Sequence, residues 1–149
     1  MNSDRRTVGS LVWHLAMRWR VEVDRAVSHL GLTHAQYSLL ASLHAMSAGG
    51  QPPTQRELAD YAALQPIYVS KLIRSLEAIA LVERRPDARD TRAVRLTLTE
   101  TGMRTAEEAR AIVRALDRRL IEPLGGAAAG ELAGALTTLL DAPRKADPS

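Results

Sequence analysis

A change of period near the middle of the chain constrains its fold more than any other feature. Up to residue 79 the apolar residues recur at helical spacing. From residue 93 to 99 the period falls to two, with Val94, Leu96 and Leu98 alternating against Arg95, Thr97 and Thr99. Such alternation is the signature of a half-buried strand. Residues 81–85 form its partner, and the polar stretch 86–92 is the turn between them. The chain thus runs through helices into a two-stranded hairpin and out into another long helix. That order makes it mainly α with a small β-hairpin, an α+β fold.

The helices are punctuated by local chemistry. Residues 8–30 form one long amphipathic helix, closed by Gly31. Thr33 and Gln36 have the spacing of a capping box and open a second helix carrying Tyr37, Leu39, Leu40, Leu43 and Met46. Ala48, Gly49, Gly50, Gln51, Pro52 and Pro53 break the chain. Thr54 and Glu57 form a second capping box, leading into a short helix that contains Leu58 and Ala59. Pro66 suits a first helical position, where its missing N–H costs nothing. The helix it opens buries Val69, Leu72, Ile73 and Leu76 and turns Ile67, Tyr68, Ser70, Lys71 and Arg74 outward. After the hairpin come a helix over 101–122, a simple Gly/Ala linker over 125–130, and a last helix over 131–140. Residues 141–149 read as a frayed tail. The middle helices and the hairpin, residues 33–99, make a winged helix-turn-helix. The segments 8–30 and 101–140 flank it as candidate dimerisation helices, within a single domain spanning 1–149.

Charge narrows the partner. The 149 residues carry a net charge of only +3, yet the sequence is strongly basic because 18 of its 20 basic residues are Arg. Five of those Arg (84, 85, 89, 92 and 95) and two Asp (87 and 90) lie in the twelve residues from Arg84 to Arg95, so this segment alone carries +3. With no Cys there are no disulfides and no thiolate metal sites. No stretch of about 20 residues lacks charge, so no membrane span is expected, and no signal peptide is visible. The default compartment is the cytosol.

In a helix-turn-helix the second helix presents its N-terminal residues to base edges in the major groove. Here those are Ile67, Tyr68, Ser70, Lys71 and Arg74, with Gln65 at the helix start. Lys71 and Arg74 suit guanine or phosphate, Ser70 a phosphate or base, and Ile67 or Tyr68 a thymine methyl. Alone, this face reads first as an ordinary solvated helix surface, since helical hairpins are common and specify nothing. The arginine-rich hairpin turns the balance toward DNA. Arg92 and Arg89 are the candidates for the minor groove, Arg84 supports them, and Asp87 and Asp90 orient the arginines. Thr54 caps the positioning helix and can reach a phosphate. The long outer helices carry apolar stripes that a small winged helix does not use, and a two-fold dimer would bury them. The histidines His14, His29, His34 and His44 match no metal-ligand spacing. There is no nucleophile triad, phosphate loop or nucleotide fingerprint, so neither an enzyme nor a cofactor is expected.

These residues resemble the MarR (multiple antibiotic resistance regulator) family of winged-helix transcription factors. The resemblance lies in Leu32-Thr33-His34-Ala35-Gln36-Tyr37; Thr54 with Glu57-Leu58-Ala59; Val69-Ser70-Lys71-Leu72-Ile73; Leu81-Val82-Glu83-Arg84; Asp90-Thr91-Arg92; and Leu98-Thr99-Glu100-Thr101-Gly102. They run in order across nearly the whole chain. The resemblance implies a homodimer on double-stranded DNA at a pseudo-palindromic operator, acting as a repressor. It also implies release by a small phenolic or anionic ligand in a cleft, here lined by Trp13, Met17, Tyr37, Leu40 and His44. Three departures stand out. The family has Gly where Ala80 stands, so that helix end is expected to close differently. The doubled arginine of the family's wing is single here, leaving Arg92. With no Cys, thiol-based peroxide sensing is absent. Two other readings stay open at this level: a winged-helix protein-interaction module, and a small-molecule-binding protein that does not bind DNA.

Overall fold

The computed structural model describes residues 6–143. Six helices and one hairpin follow in order: α1 (Val8–Val27), α2 (His34–Ser47), α3 (Gln55–Ala62), α4 (Pro66–Ala78), β1 (Val82–Pro86), β2 (Val94–Leu98), α5 (Glu100–Ile121) and α6 (Gly126–Asp141). Short 3₁₀ turns at Ser28–Leu30 and Glu122–Leu124 close α1 and α5. The chain divides after Arg114, inside α5, into two compact units.

Both capping boxes form. The Thr33 hydroxyl accepts the Gln36 N–H at 3.2 Å while Gln36 accepts the Thr33 N–H at 2.9 Å. Thr54 and Glu57 repeat the exchange at 3.1 and 3.3 Å. Each box satisfies two helix-end donors that would otherwise be unpaired. The core of the first unit is apolar throughout: Leu39, Leu40 and Leu43 of α2, Leu58 of α3, Ile73 and Leu76 of α4, and Leu96 of β2 have no exposed surface. Gln36 adds a polar tie, donating from Nε2 to Ser75 Oγ on α4 at 3.0 Å.

The hairpin is antiparallel, with Val82 opposite Leu98, Arg84 opposite Leu96 and Pro86 opposite Val94. A third segment joins its free edge, where Leu96 N–H donates to the Pro53 carbonyl at 2.9 Å and Thr54 bridges to Arg95. The hairpin is therefore sewn to the start of α3. At its base Thr99 caps α5, accepting the Gly102 N–H at 2.9 Å, and donates to the Ala80 carbonyl at 2.7 Å. A side chain on Gly102 would overlap the Leu81 carbonyl oxygen. The Leu-Thr-x-x-Gly motif is thus the joint between hairpin and helix.

Two expectations need correction. Ala80 closes α4 in the left-handed conformation a glycine would take, at φ 58°. Leu81 N–H reaches the Leu76 carbonyl and Ala80 N–H the Glu77 carbonyl, both at 3.0 Å. This is the Schellman closure, and its two hydrogen bonds offset the strain of the Cβ. The second correction concerns residues 125–130, which are not a linker. Gly125 turns the chain at φ 76° and α6 begins at Gly126. Three consecutive alanines, the best helix formers, carry the helix through this stretch. Of the tail at 141–149, residues 144–149 lie outside the described residues.

In the second unit α6 buries no residue fully, and Leu139 and Leu140 remain 62% and 84% exposed.

Candidate nucleic-acid interface

The wing loop is shaped by two aspartates. Asp87 accepts the Arg89 N–H and Asp90 the Arg92 N–H, each at 3.0 Å. These are Asx turns, in which the carboxylate stands in for a backbone carbonyl. Asp87 N–H donates to the Ala93 carbonyl at 3.0 Å and closes the loop. The Arg89 N–H, with the Arg95 guanidinium, holds the Asp87 carboxyl below its ordinary pKa.

The five arginines of the hairpin do not share one fate. Arg84 Nε lies 3.1 Å from Glu77 of α4, Arg85 lies 3.2 Å from Glu83, and Arg95 lies 3.0 Å from Asp87. The Arg85 pair is exposed on both sides and therefore weak, so Arg85 stays available to another anion. The Arg95 side chain is only 20% exposed and is committed to its partners. Arg89 and Arg92 are exposed, and no carboxylate lies within 4.0 Å of either guanidinium among the described residues. These two arginines of the wing thus have no close carboxylate partner among the described residues, the Arg89 guanidinium acting on Asp87 only through space.

Between the wing and the helix-turn-helix lies a groove of about 860 Å³, lined by Thr54, Gln55, Arg56, Pro66, Arg84, Asp90, Arg92, Ala93 and Val94. It brings together Thr54, Arg84, Asp90 and Arg92 from the sequence-derived set. Gln65 caps α4 without a side-chain bond, and its carbonyl accepts the Tyr68 and Val69 N–H groups at 3.0 Å. Ile67 (84% exposed), Tyr68 and Lys71 stand outward along α4. Arg74 Nη2 donates to Ser70 Oγ at 3.3 Å, one turn back along the same helix. Arg89 is on the wing loop and does not line the groove.

Sequence reasoning missed Gln55 and Arg56. Arg56 had a signal: a cation in the first turn of a helix opposes the helix dipole, so its place there calls for another purpose.

Comparison with known proteins places this geometry. The MarR family model matches residues 30–93. A Bacillus subtilis protein, the uncharacterized HTH-type (helix-turn-helix) transcriptional regulator YdcH, is 36% identical over 110 residues, covering 74% of this chain and 75% of the relative. The chain belongs to the MarR family. The HTH-type transcriptional repressor Rv2887 of Mycobacterium tuberculosis, another relative, is 32% identical over 124 residues, covering 82% of this chain and 85% of its own. MepR of Staphylococcus aureus, solved as a MepR-DNA complex, superposes with a TM-score of 0.83 at 26% identity, covering 91% of this chain and 97% of MepR. Wild-type MarR from E. coli shares the fold at a TM-score of 0.76 and 22% identity, covering 93% of this chain and 99% of that one. MarR membership makes this chain a DNA-binding transcriptional regulator with a winged helix, and not an enzyme.

The residues proposed for the MarR ligand cleft lie on two helices. Trp13 and Met17 are exposed on α1, at 62% and 36%. Tyr37, Leu40 and His44 are on α2, and Leu40 is completely buried in the core. His44 is half-buried. Arg110 of α5 lies 2.8 Å from its Nδ1, and its Nε2 lies 3.8 Å from Glu107. No helix among the described residues is long and apolar enough to cross a membrane.

Proposed function

We propose that two copies of this chain pair through their terminal helices and repress transcription from a pseudo-palindromic operator on double-stranded DNA. The observation that carries the reading is Arg92, exposed and without a close carboxylate, in a groove that also holds Thr54 and Arg56, with exposed Arg89 on the adjoining wing loop. Arg92 enters the minor groove with Arg89 next to it. The N-terminal end of α4 meets the major groove with Gln65, Ile67, Tyr68, Ser70, Lys71 and Arg74. Thr54, Arg56 and Arg84 approach the phosphates between the two, where the amino ends of α3 and α4 add their dipoles. The solved MepR-DNA complex, at the same fold, supports this arrangement. Exposed Leu11, Leu15, Leu139 and Leu140 on α1 and α6 support pairing. The work is cytoplasmic, where the operator is. A small phenolic or anionic molecule bound near Trp13, Met17, Tyr37, Leu40 and His44 then releases the operator; the half-buried Arg110 beside His44 suits its charge.

The deciding experiment is a gel shift on the region upstream of the gene, repeated across salt concentrations, with wild type and Arg92→Ala. Losing one phosphate-level contact lowers the slope of log K against log salt by about 0.9. Affinity should fall about tenfold as well. Equal binding by Arg92→Ala at every salt concentration removes the wing from the interface. Titration of aromatic acids into wild type and Trp13→Leu by calorimetry tests the ligand; unchanged affinity removes Trp13 from its site.

A further inference from the structure

Arg95 is the least exposed arginine of the hairpin, and its whole fork is engaged. Nε and Nη2 donate to Asp87 Oδ2 at 3.2 and 3.0 Å, and Nη1 donates to the Pro52 carbonyl at 2.7 Å. The same Nη1 lies 3.9 Å from Glu57, the residue that caps the Thr54 N–H. Four segments therefore converge on one guanidinium: the loop before α3, α3 itself, β2 and the wing loop. The backbone runs in parallel with it, through the Leu96 to Pro53 bond. Asp87, 13% exposed at its side chain, passes the constraint on by accepting the Arg89 N–H. The guanidinium spreads its donors over three nitrogens and so spans Asp87 on one side and Pro52 on the other; a lysine has three donors, but all on one nitrogen, and cannot bridge that span with the same geometry.

We propose that Arg95 is a positioning residue: it clamps the wing to the start of α3, so that Arg92 and α4 meet DNA as one rigid surface. Arg95 itself touches no phosphate and acts through Asp87 and Pro52. The proposal rests on the DNA-binding reading above.

The sign of one substitution separates the clamp from plain electrostatics. Removing a carboxylate next to a DNA-binding surface strengthens binding on charge alone. If Asp87 holds Arg95 in place, Asp87→Asn weakens binding instead. Asn keeps an oxygen for the Arg89 N–H, so the loop turn survives the change.

The test uses the intact protein and a duplex that the wild type selects from a random-sequence library. Affinity is measured across salt for Asp87→Asn, Arg95→Lys, Arg95→Gln and the Asp87→Asn/Arg95→Gln double variant. Each single variant should bind about tenfold more weakly. Lys should fail to rescue, the double should match the weaker single within about twofold, and the salt slope should fall by less than about half a phosphate. Hydrogen exchange without DNA should quicken at the Leu96 and Ala93 amides and stay unchanged at Leu39 and Ile73, which also shows that the variants fold. Equal or tighter binding by Asp87→Asn, full rescue by Lys, or a slope lowered by a whole phosphate overturns the clamp while leaving the DNA reading intact. A wild type that enriches no duplex overturns the DNA reading, and the clamp's role with it.

Discussion

In α2, Leu39, Leu40 and Leu43 have no exposed surface; in α1, Leu11, Val12 and Leu15 each leave 45–49% of theirs in water. The two helices are similarly rich in apolar residues and obey different constraints. α2 sits among α3, α4 and β2, and its partners all come from the same chain. Only the far end of α1 is finished in that way, at Val23 and Val27. α6 has no fully buried residue at all. Exposed apolar side chains at helical spacing contribute nothing to folding until something covers them. The winged helix is therefore specified from within, whereas the terminal helices keep apolar surface in water that the proposed pairing of two copies would cover.

Substitutions on the two sides should fail in different ways. Gly102→Ala carries the largest expected effect, because its Cβ would overlap backbone, the Leu81 carbonyl, which has no side-chain freedom to retreat. We expect a loss of about 3 kcal/mol in urea unfolding, with operator binding lost alongside. A variant as stable as wild type would mean that the hairpin–α5 joint gives way easily. Leu140→Asp is the counterpart on α6, at a side chain 84% exposed. It should leave the urea midpoint of the winged helix nearly unchanged and weaken self-association at least about tenfold in sedimentation velocity, about 1.4 kcal/mol. Unaltered association would take that end of α6 out of the pairing surface.

The same division explains what could be read from the sequence. Thr33 and Thr54 announce their capping boxes because the chemistry spans three residues. Val94, Leu96 and Leu98 announce a strand because alternation is local. The outer face of α4 was legible for the same reason. Arg95 was not: in sequence it is one basic residue among five, and its Pro52 partner lies 43 residues away. The pairing of Arg84 with Glu77 depends likewise on the turn between α4 and β1. The start of α6 was misplaced because glycine-rich composition suggests a linker, while the alanines between decide the conformation. At Ala80 propensity argued against a left-handed closure, and two backbone hydrogen bonds overrode it.

Ala80 and Ala63 make the next prediction. Both sit at positive φ, 58° and 54°, at the ends of α4 and α3. In each case the following residue reaches back to close the helix: Leu81 to Leu76, and Leu64 to Ala59, at 3.0 Å. A Cβ in that conformation costs about 1 kcal/mol, and glycine removes the cost. Ala80→Gly and Ala63→Gly should each raise unfolding stability by about 1 kcal/mol, and nearly additively. Both changes stabilise the internally specified half only, so the self-association constant should stay where it is. A fall in stability in either variant would show that the unfolded chain's gain in freedom outweighs the strain removed.

The smallest effect tests the seam between the two regions. His34 opens α2, and its backbone N–H donates to Asp24 of α1 at 2.9 Å. Burial, reinforced by the nearby Arg20 and partly opposed by Asp24, lowers the pKa of its ring from 6.5. The folded protein thus favours the neutral ring more than the unfolded chain does. The resulting stability is complete above the unfolded value and is lost as pH falls from there through the folded one, since the unfolded chain takes up its proton first. The melting temperature of wild type should therefore drop between about pH 7.5 and about pH 5.5, and His34→Gln should flatten part of that drop. An identical slope in the variant would assign the pH dependence to another histidine and leave the contact of α1 with α2 to the Asp24 hydrogen bond and the apolar packing of Val23 and Val27.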